Sequence, residues 1–153
     1  MKKEYSKVLF RKRRTLTADS KTCSGCQTCG VICSLIHEGS VDLAHSRIYV
    51  KDNPFIGSFV PIVCHQCPDA PCLFSCPEGA IEIEPEHGVV LIAEEKCTGC
   101  GQCVRACPFQ VIRLDEGKKN ARKCDLCKGD PQCLQWCPTN ALGMTEFGGD
   151  IPK

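Results

Sequence analysis

A chain of 153 residues suffices for one compact domain or two small intertwined modules, and sixteen of its residues are cysteine. Only 6% of the residues are aromatic and the aliphatic runs are short, so the apolar core is too thin to hold the chain alone. A formal net charge of +1 argues against nucleic acid as a partner, and no stretch approaches the roughly 20 apolar residues of a membrane span.

Residues 1–20 form a basic extension with Lys2, Lys3, Lys7, Arg11, Lys12, Arg13 and Arg14. It has no apolar signal-peptide region, and after Arg13-Arg14 the chain is polar from Thr15 to Lys21 where a twin-arginine signal turns hydrophobic. The expected location is cytoplasmic, where thiols stay reduced and clustered cysteines bind metal. Residues 8–10 are a strand candidate. The basic run reads as a solvated tail, with docking to an acidic partner or self-association with a neighbouring copy as the functional alternative.

The cysteines then fall into four groups of four. The first, Cys23, Cys26, Cys29 and Cys33, is spaced C-x2-C-x2-C-x3-C. The second, Cys64, Cys67, Cys72 and Cys76, has four residues in its middle gap, and the fourth, Cys124, Cys127, Cys133 and Cys137, has five. The third, Cys97, Cys100, Cys103 and Cys107, repeats the spacing of the first. Groups two to four run into Pro77, Pro108 and Pro138, and each proline is followed by a short apolar segment (CPEGAIEI, CPFQVIRL, CPTNALGM) predicted to be a strand. Residues 59–63 and 89–92 read as partner strands. A short helix is expected to begin near the third cysteine of each group and to carry the fourth. Group one departs from the repeat: Ser34 stands in place of proline, the strand is delayed to residues 47–50, and residues 35–46 read as an insertion at an interface.

Cysteines at i, i+3 and i+6 wrap three thiolates around three corners of a cubane, while the fourth lies on a segment already heading away. In two-cluster bacterial ferredoxins the last cysteine of C-x2-C-x2-C-x3-C-P ligates the other cluster, so the groups must pair. Zinc has no use for a repeated third cysteine at i+6, eight disulfides require an oxidising compartment, and a thioredoxin-like CxxC fits neither the cysteine count nor the absent βαβ pattern. Iron–sulfur is the reading that remains. Four oxidised cubanes, each adding about two negative charges, make the loaded protein acidic.

The order of the groups, with CHQCPDAPCLFSCPEGAI and RKCDLCKGDPQCLQWCPTNAL, resembles the four-cluster iron–sulfur subunits of molybdenum and tungsten pterin oxidoreductases, the dimethyl sulfoxide reductase and formate dehydrogenase type. The resemblance runs from Lys21 to Met144. The five-residue gap in group four, and CSLIHEG followed by SRI, make the chain most similar to the small soluble subunits of tungsten aldehyde oxidoreductases and benzoyl-CoA reductase. It implies an α+β fold of two interleaved bacterial-ferredoxin-like modules with little regular secondary structure: an outer one from residues 21–63 and 108–146, an inner one from 64–107, and a tail at 147–153. The implied ligand sets are Cys23, Cys26, Cys29 and Cys137; Cys124, Cys127, Cys133 and Cys33; Cys64, Cys67, Cys72 and Cys107; and Cys97, Cys100, Cys103 and Cys76. With all sixteen positions filled, four [4Fe–4S] clusters are expected.

The implied function is single-electron relay, with no catalytic site in this chain. The partners implied are a large tungsten or molybdenum pterin catalytic subunit and a flavin-containing subunit or ferredoxin. A polyferredoxin serving a hydrogenase or carbon monoxide dehydrogenase is the alternative. Among other residues, His65 reads as a packed or solvent-facing group ahead of one that tunes or ligates a cluster, His37, His45 and His87 as surface residues, and Trp136 as packing over a cluster ahead of a docking role. Arg122 and Lys123 read equally as potential-raising charges or solvated ones.

Overall fold

The computed structural model describes residues 13–115, 117 and 119–147; the strand expected at residues 8–10 lies outside them. Among the described residues, eight strands form four separate two-stranded antiparallel ladders. β1 (Arg13–Ala18) pairs with β8 (Leu142–Phe147), β2 (Tyr49–Asn53) with β3 (Ser58–Ile62), β4 (Ile81–Ile83) with β5 (Val90–Ile92), and β6 (Arg113–Asp115) with β7 (Asn120–Arg122). The three hairpins alternate with the four cysteine groups along the chain, and the β1–β8 ladder ties the two ends together, from Arg13 opposite Phe147 to Ala18 opposite Leu142. Helices are few and small antiparallel sheets carry the architecture.

The apolar content of the strands is modest, and isolated two-strand ladders are marginal in water. What they pack against includes an unusual share of cysteine. Leu16, Ile48, Val63, Leu73, Ile81, Val90, Ile112, Leu126 and Leu142 share one buried cluster with Cys29, Cys33, Cys64, Cys103, Cys124 and Cys133.

Helices start where the repeat predicts. α1 (Thr28–Glu38), α2 (Pro71–Phe74), α3 (Gln102–Ala106) and α4 (Gln132–Gln135) each hold the third cysteine of a group as their second residue. Only α1 also carries the fourth, Cys33; in the others the helix stops before Cys76, Cys107 and Cys137. Proline explains this, because it disfavours helical backbone in the residue before it. Ser34 lifts that restriction, and α1 runs eleven residues to a left-handed cap at Gly39. The Ser34 side chain is fully buried, donates to the Val31 carbonyl at 3.0 Å and accepts from the Asp42 amide at 3.1 Å. The insertion is thus a helical extension folded back onto its own serine.

Arg13, expected in a solvated tail, and Arg122, read equally as solvated or as potential-raising, are both buried. Arg13 is 1% exposed and donates from Nη1 to the Cys67 carbonyl at 3.0 Å. Arg122, also buried, lies 3.5 Å from Asp115 Oδ2 and 3.5 Å from the Ala44 carbonyl.

Candidate metal centres

Each cysteine group is shaped by the same backbone irregularity. The residue before the second cysteine is left-handed in all four: Gly25 (φ 74°), Gln66 (48°), Gly99 (69°) and Leu126 (54°). Left-handed backbone disfavours L-residues by roughly 1–2 kcal/mol, so its recurrence at one position marks a required shape. A left-handed residue in such a turn helps aim neighbouring N–H groups into one concavity, as in the anion-binding nest used at iron–sulfur sites; in group four Cys127 and Lys128 are left-handed as well. Glycine meets the demand in groups one and three.

Three small hollows open among the cysteine groups. The first is lined by Cys64, Cys67, Cys72 and Cys107. The second is lined by Cys76, Cys97, Cys100 and Cys103, and the third by Cys33, Cys124, Cys127 and Cys133. Each gathers three cysteines of one group and one of another. The remaining four are also near one another, since Cys29 feels the charges of Cys26, Cys23 and Cys137.

The sulfurs face backbone donors. Cys33 Sγ accepts from the Arg47 amide at 3.3 Å, Cys76 Sγ from Ala80 at 3.3 Å, Cys97 Sγ from Ala121 at 3.3 Å and Cys124 Sγ from Leu126 at 3.4 Å. Thr28 Oγ1 donates to Cys26 Sγ at 3.3 Å, which lowers that thiol's pKa. At Cys29 and Cys133 burial dominates, pushing the first up to about 11 and the second up to about 12. Sixteen thiols with no disulfide among them, six of them buried where a bare thiolate is costly, suit a multivalent cation that replaces their protons. Four-sulfur hollows with inward amides fit a cubane.

Several residues were misjudged or missed. His37 is not a surface residue: it lies one turn beyond Cys33 on α1, contacts the Cys33 carbonyl through Nδ1 at 2.9 Å and pairs with Asp125 at 3.0 Å. The i, i+4 spacing from Cys33 is the signal that finds it. Of the two readings open for Lys123, the solvated one fails: it is buried and donates to the Val90 and Cys124 carbonyls. Gln66, also buried, donates to the Cys124 carbonyl at 2.9 Å and accepts from the Val90 amide at 2.8 Å; nothing in its sequence context marks it. His65 is exposed and stacks on Phe109 at 4.1 Å between ring centroids. Trp136, expected to pack over a cluster, is 58% exposed.

Comparison with known proteins supports the chemistry these hollows suggest. The 4Fe–4S dicluster domain matches residues 56–147, the span that holds groups two to four. The chain belongs to that family. Clusters of the [4Fe–4S] type are therefore its cofactors. Within the wider family, the chain is 48% identical over 115 residues to the polyferredoxin-like subunit of an aliphatic sulfonate oxidoreductase from Pyrococcus furiosus, covering 75% of this chain and 66% of that one. It is 38% identical over 154 residues to the electron transport protein HydN of Escherichia coli, covering 84% of this chain and 86% of that one. A chain of the active site complex BamBC of benzoyl coenzyme A reductase, solved with 1,5-dienoyl-CoA, superposes with a TM-score of 0.56 at 29% identity, covering 93% of this chain and 80% of that one. Among the described residues, no helix is long and apolar enough to cross a membrane.

Proposed function

We propose that this dicluster-family chain is the electron-transfer subunit of an oxidoreductase complex, relaying single electrons through four [4Fe–4S] clusters between a catalytic subunit and a second redox partner. The observation that carries the reading is the sorting of twelve cysteines into three four-sulfur hollows, each drawing on two groups. The proposed ligand sets are those three and a fourth of Cys23, Cys26, Cys29 and Cys137. Exchange of Cys33 with Cys137, and of Cys76 with Cys107, makes two modules, the inner from residues 64–107 and the outer wrapped around it.

A bound [4Fe–4S] cluster supplies storage of one electron at a time with no bond made or broken. The chain's part is to fix order and surroundings. Cys133 feels Cys29, and Cys124 feels Cys64, which supports a linear path: the Cys23 set, the Cys124 set, the Cys64 set, then the Cys97 set. Cys26 and Cys100, in the first and last sets, are the two exposed cysteines, so electrons enter and leave at the ends. Trp136, exposed beside Cys137, supplies an apolar docking contact at one end.

The catalytic partner is proposed to be a large tungsten or molybdenum pterin subunit, with a flavin-containing subunit or ferredoxin on the other side. The alternative is a polyferredoxin serving a hydrogenase or carbon monoxide dehydrogenase; the relative HydN, named only for electron transport, keeps it in view. The deciding experiment is anaerobic isolation of the native complex through this chain, with metal and acid-labile sulfide analysis. About sixteen iron per chain with tungsten or molybdenum supports the main reading. The same iron with neither metal favours the polyferredoxin, and zinc without sulfide overturns both.

A further inference from the structure

The position directly before the first cysteine of a group is filled differently in each repeat. Thr22 is exposed, and Val63 is buried and apolar. Lys96 is exposed and pairs with Glu82 at 3.1 Å. Lys123 alone is a buried cation there, 3% exposed. Its ammonium donates to two backbone carbonyls, of Val90 and of Cys124. Among the described residues no ion pair of Lys123 with a carboxylate occurs.

Gln66 explains why the ammonium stays. The Cys124 carbonyl accepts from both Gln66 Nε2 at 2.9 Å and Lys123 Nζ at 3.0 Å. The Val90 peptide is gripped from both ends, its N–H by Gln66 Oε1 at 2.8 Å and its carbonyl by Lys123. Val90 belongs to β5, Gln66 sits between Cys64 and Cys67, and Lys123 precedes Cys124. The charge is thereby fixed where group two meets group four, and Lys123 lines the hollow of Cys64, Cys67, Cys72 and Cys107. Its field reaches both sides: burial drives the Cys72 thiol up and Lys123 is the main opposing influence, and Lys123 also opposes the rise at Cys124.

We infer that Lys123 is a positioning residue for electron transfer, a fixed buried charge that selectively stabilises the reduced state of the two central clusters, those of the Cys64 and Cys124 sets. The inference rests on the four-cluster reading above. A tetrathiolate cubane gains one negative charge when it accepts one electron, taken from the donor partner and later passed to the acceptor. A nearby buried cation favours the more negative state, and one charge in a poorly screened interior is enough to decide the order of potentials. The end clusters, near exposed Cys26 and Cys100, have no such cation in the preceding position.

The test is anaerobic potentiometric titration of the holo-complex followed by EPR, with iron and sulfide measured on every sample. Lys123→Gln keeps donors for the carbonyls and removes the charge. It should lower the reduced-to-oxidised ratio of two clusters by roughly tenfold at a fixed potential, about 59 mV for one electron, and leave the other two in place. Lys123→Arg should restore the wild-type steps. Gln66→Glu, which keeps the acceptor for Val90 and adds an opposing charge beside Lys123, should lower the same two steps and decides the matter should Lys123→Gln lose iron. Unchanged steps with full iron, or four steps moving together, overturn the inference. Fewer than four cubanes in the wild type would instead overturn the cluster reading beneath it.

Discussion

His37 Nε2 lies 3.0 Å from Asp125 Oδ1, across 88 residues of sequence, and this contact joins α1 to the loop of group four. Arg47 adds a second tie to the same carboxylate at 3.2 Å. The hydrogen bond to Asp125 is the largest influence holding the His37 pKa up, at about 10. Burial pushes Asp125 up, but the bond from His37 and the charge of Arg47 outweigh it and bring its pKa to about 2. A raised histidine contributes stability fully below its unfolded value, about 6.5, and loses it as pH rises toward 10. A depressed aspartate contributes fully above about 3.8 and loses it as pH falls toward 2. The pair is therefore worth most between about pH 4 and 6.5. His37→Gln is expected to destabilise by about 1–3 kcal/mol in that window, with the gap to wild type closing toward pH 10. Anaerobic urea unfolding at several pH values checks it; a gap constant to pH 10 would refute the pairing.

Arg13 and Arg14 are neighbours in sequence with unlike fates. Arg13 is buried and donates to the carbonyl of Cys67, a residue of group two, whereas Arg14 is partly exposed and reaches only the Gly129 carbonyl at 3.5 Å. Removing the first takes from the Cys67 carbonyl its charged donor and leaves it only the Ala70 amide at 3.2 Å, a loss of about 1.5–3 kcal/mol for a hydrogen bond to a charged group. Arg13→Gln should lower the midpoint of anaerobic urea unfolding, and Arg14→Gln should change it by less than about 0.5 kcal/mol. Equal effects would mean that the ladder, and not the arginine's inward contact, is what matters.

These two cases show where the sequence was legible. Cysteine spacing and the prolines after groups two to four were enough to locate the helix starts and the strands that follow each group. They act locally, within one turn of chain, and need no knowledge of partners. Burial of Arg13, Arg122 and Lys123 depends on acceptors 54, 78 and 33 residues away, and a buried arginine is spelled like a solvated one. Likewise Ser34 announced that group one lacks its proline, but whether the chain then loops or continues as helix was settled by the buried hydroxyl that takes the Asp42 amide. Trp136 failed for the opposite reason: adjacency to Cys137 suggested cover, while the ring faces outward.

The left-handed turns give a paired test. Gly99 has φ 69°, and a Cβ there would meet the Lys119 carbonyl oxygen at 2.5 Å and its carbon at 2.8 Å, which is backbone and cannot step aside. Gly79 has φ 61° with nothing within 4 Å of the same added atom. Gly79→Ala should therefore cost only the conformational strain, about 1 kcal/mol. Gly99→Ala adds overpacking of about 1–3 kcal/mol and distorts the turn before Cys100. Thermal loss of cluster absorbance should come slightly earlier in the first variant and markedly earlier in the second. Equal behaviour would show that the contact of Gly99 with residue 119 is not maintained in solution.

Iron removal should undo the fold, because the buried cluster of apolar side chains includes six cysteines proposed as ligands and, among the described residues, no ladder has more than two strands. Anaerobic chelation is expected to turn a protease-resistant protein into a susceptible one, with resistance regained on reconstitution. The pH trends of the two forms should run in opposite directions. In the loaded protein, protons compete with iron for thiolates, so acid speeds cluster loss. In the apoprotein, burial raises Cys29 to about 11 and Cys133 to about 12 from an ordinary value of 9.0. Raised pKa values mean that residual structure is favoured while the thiols stay protonated, below about 9, and is lost as pH climbs through the folded values. Far-UV circular dichroism of both forms from pH 5 to 11 measures this. An apoprotein that gains structure toward alkaline pH would contradict the burial of these thiols, and one that resists protease as well as the loaded form would contradict the role given to the metal.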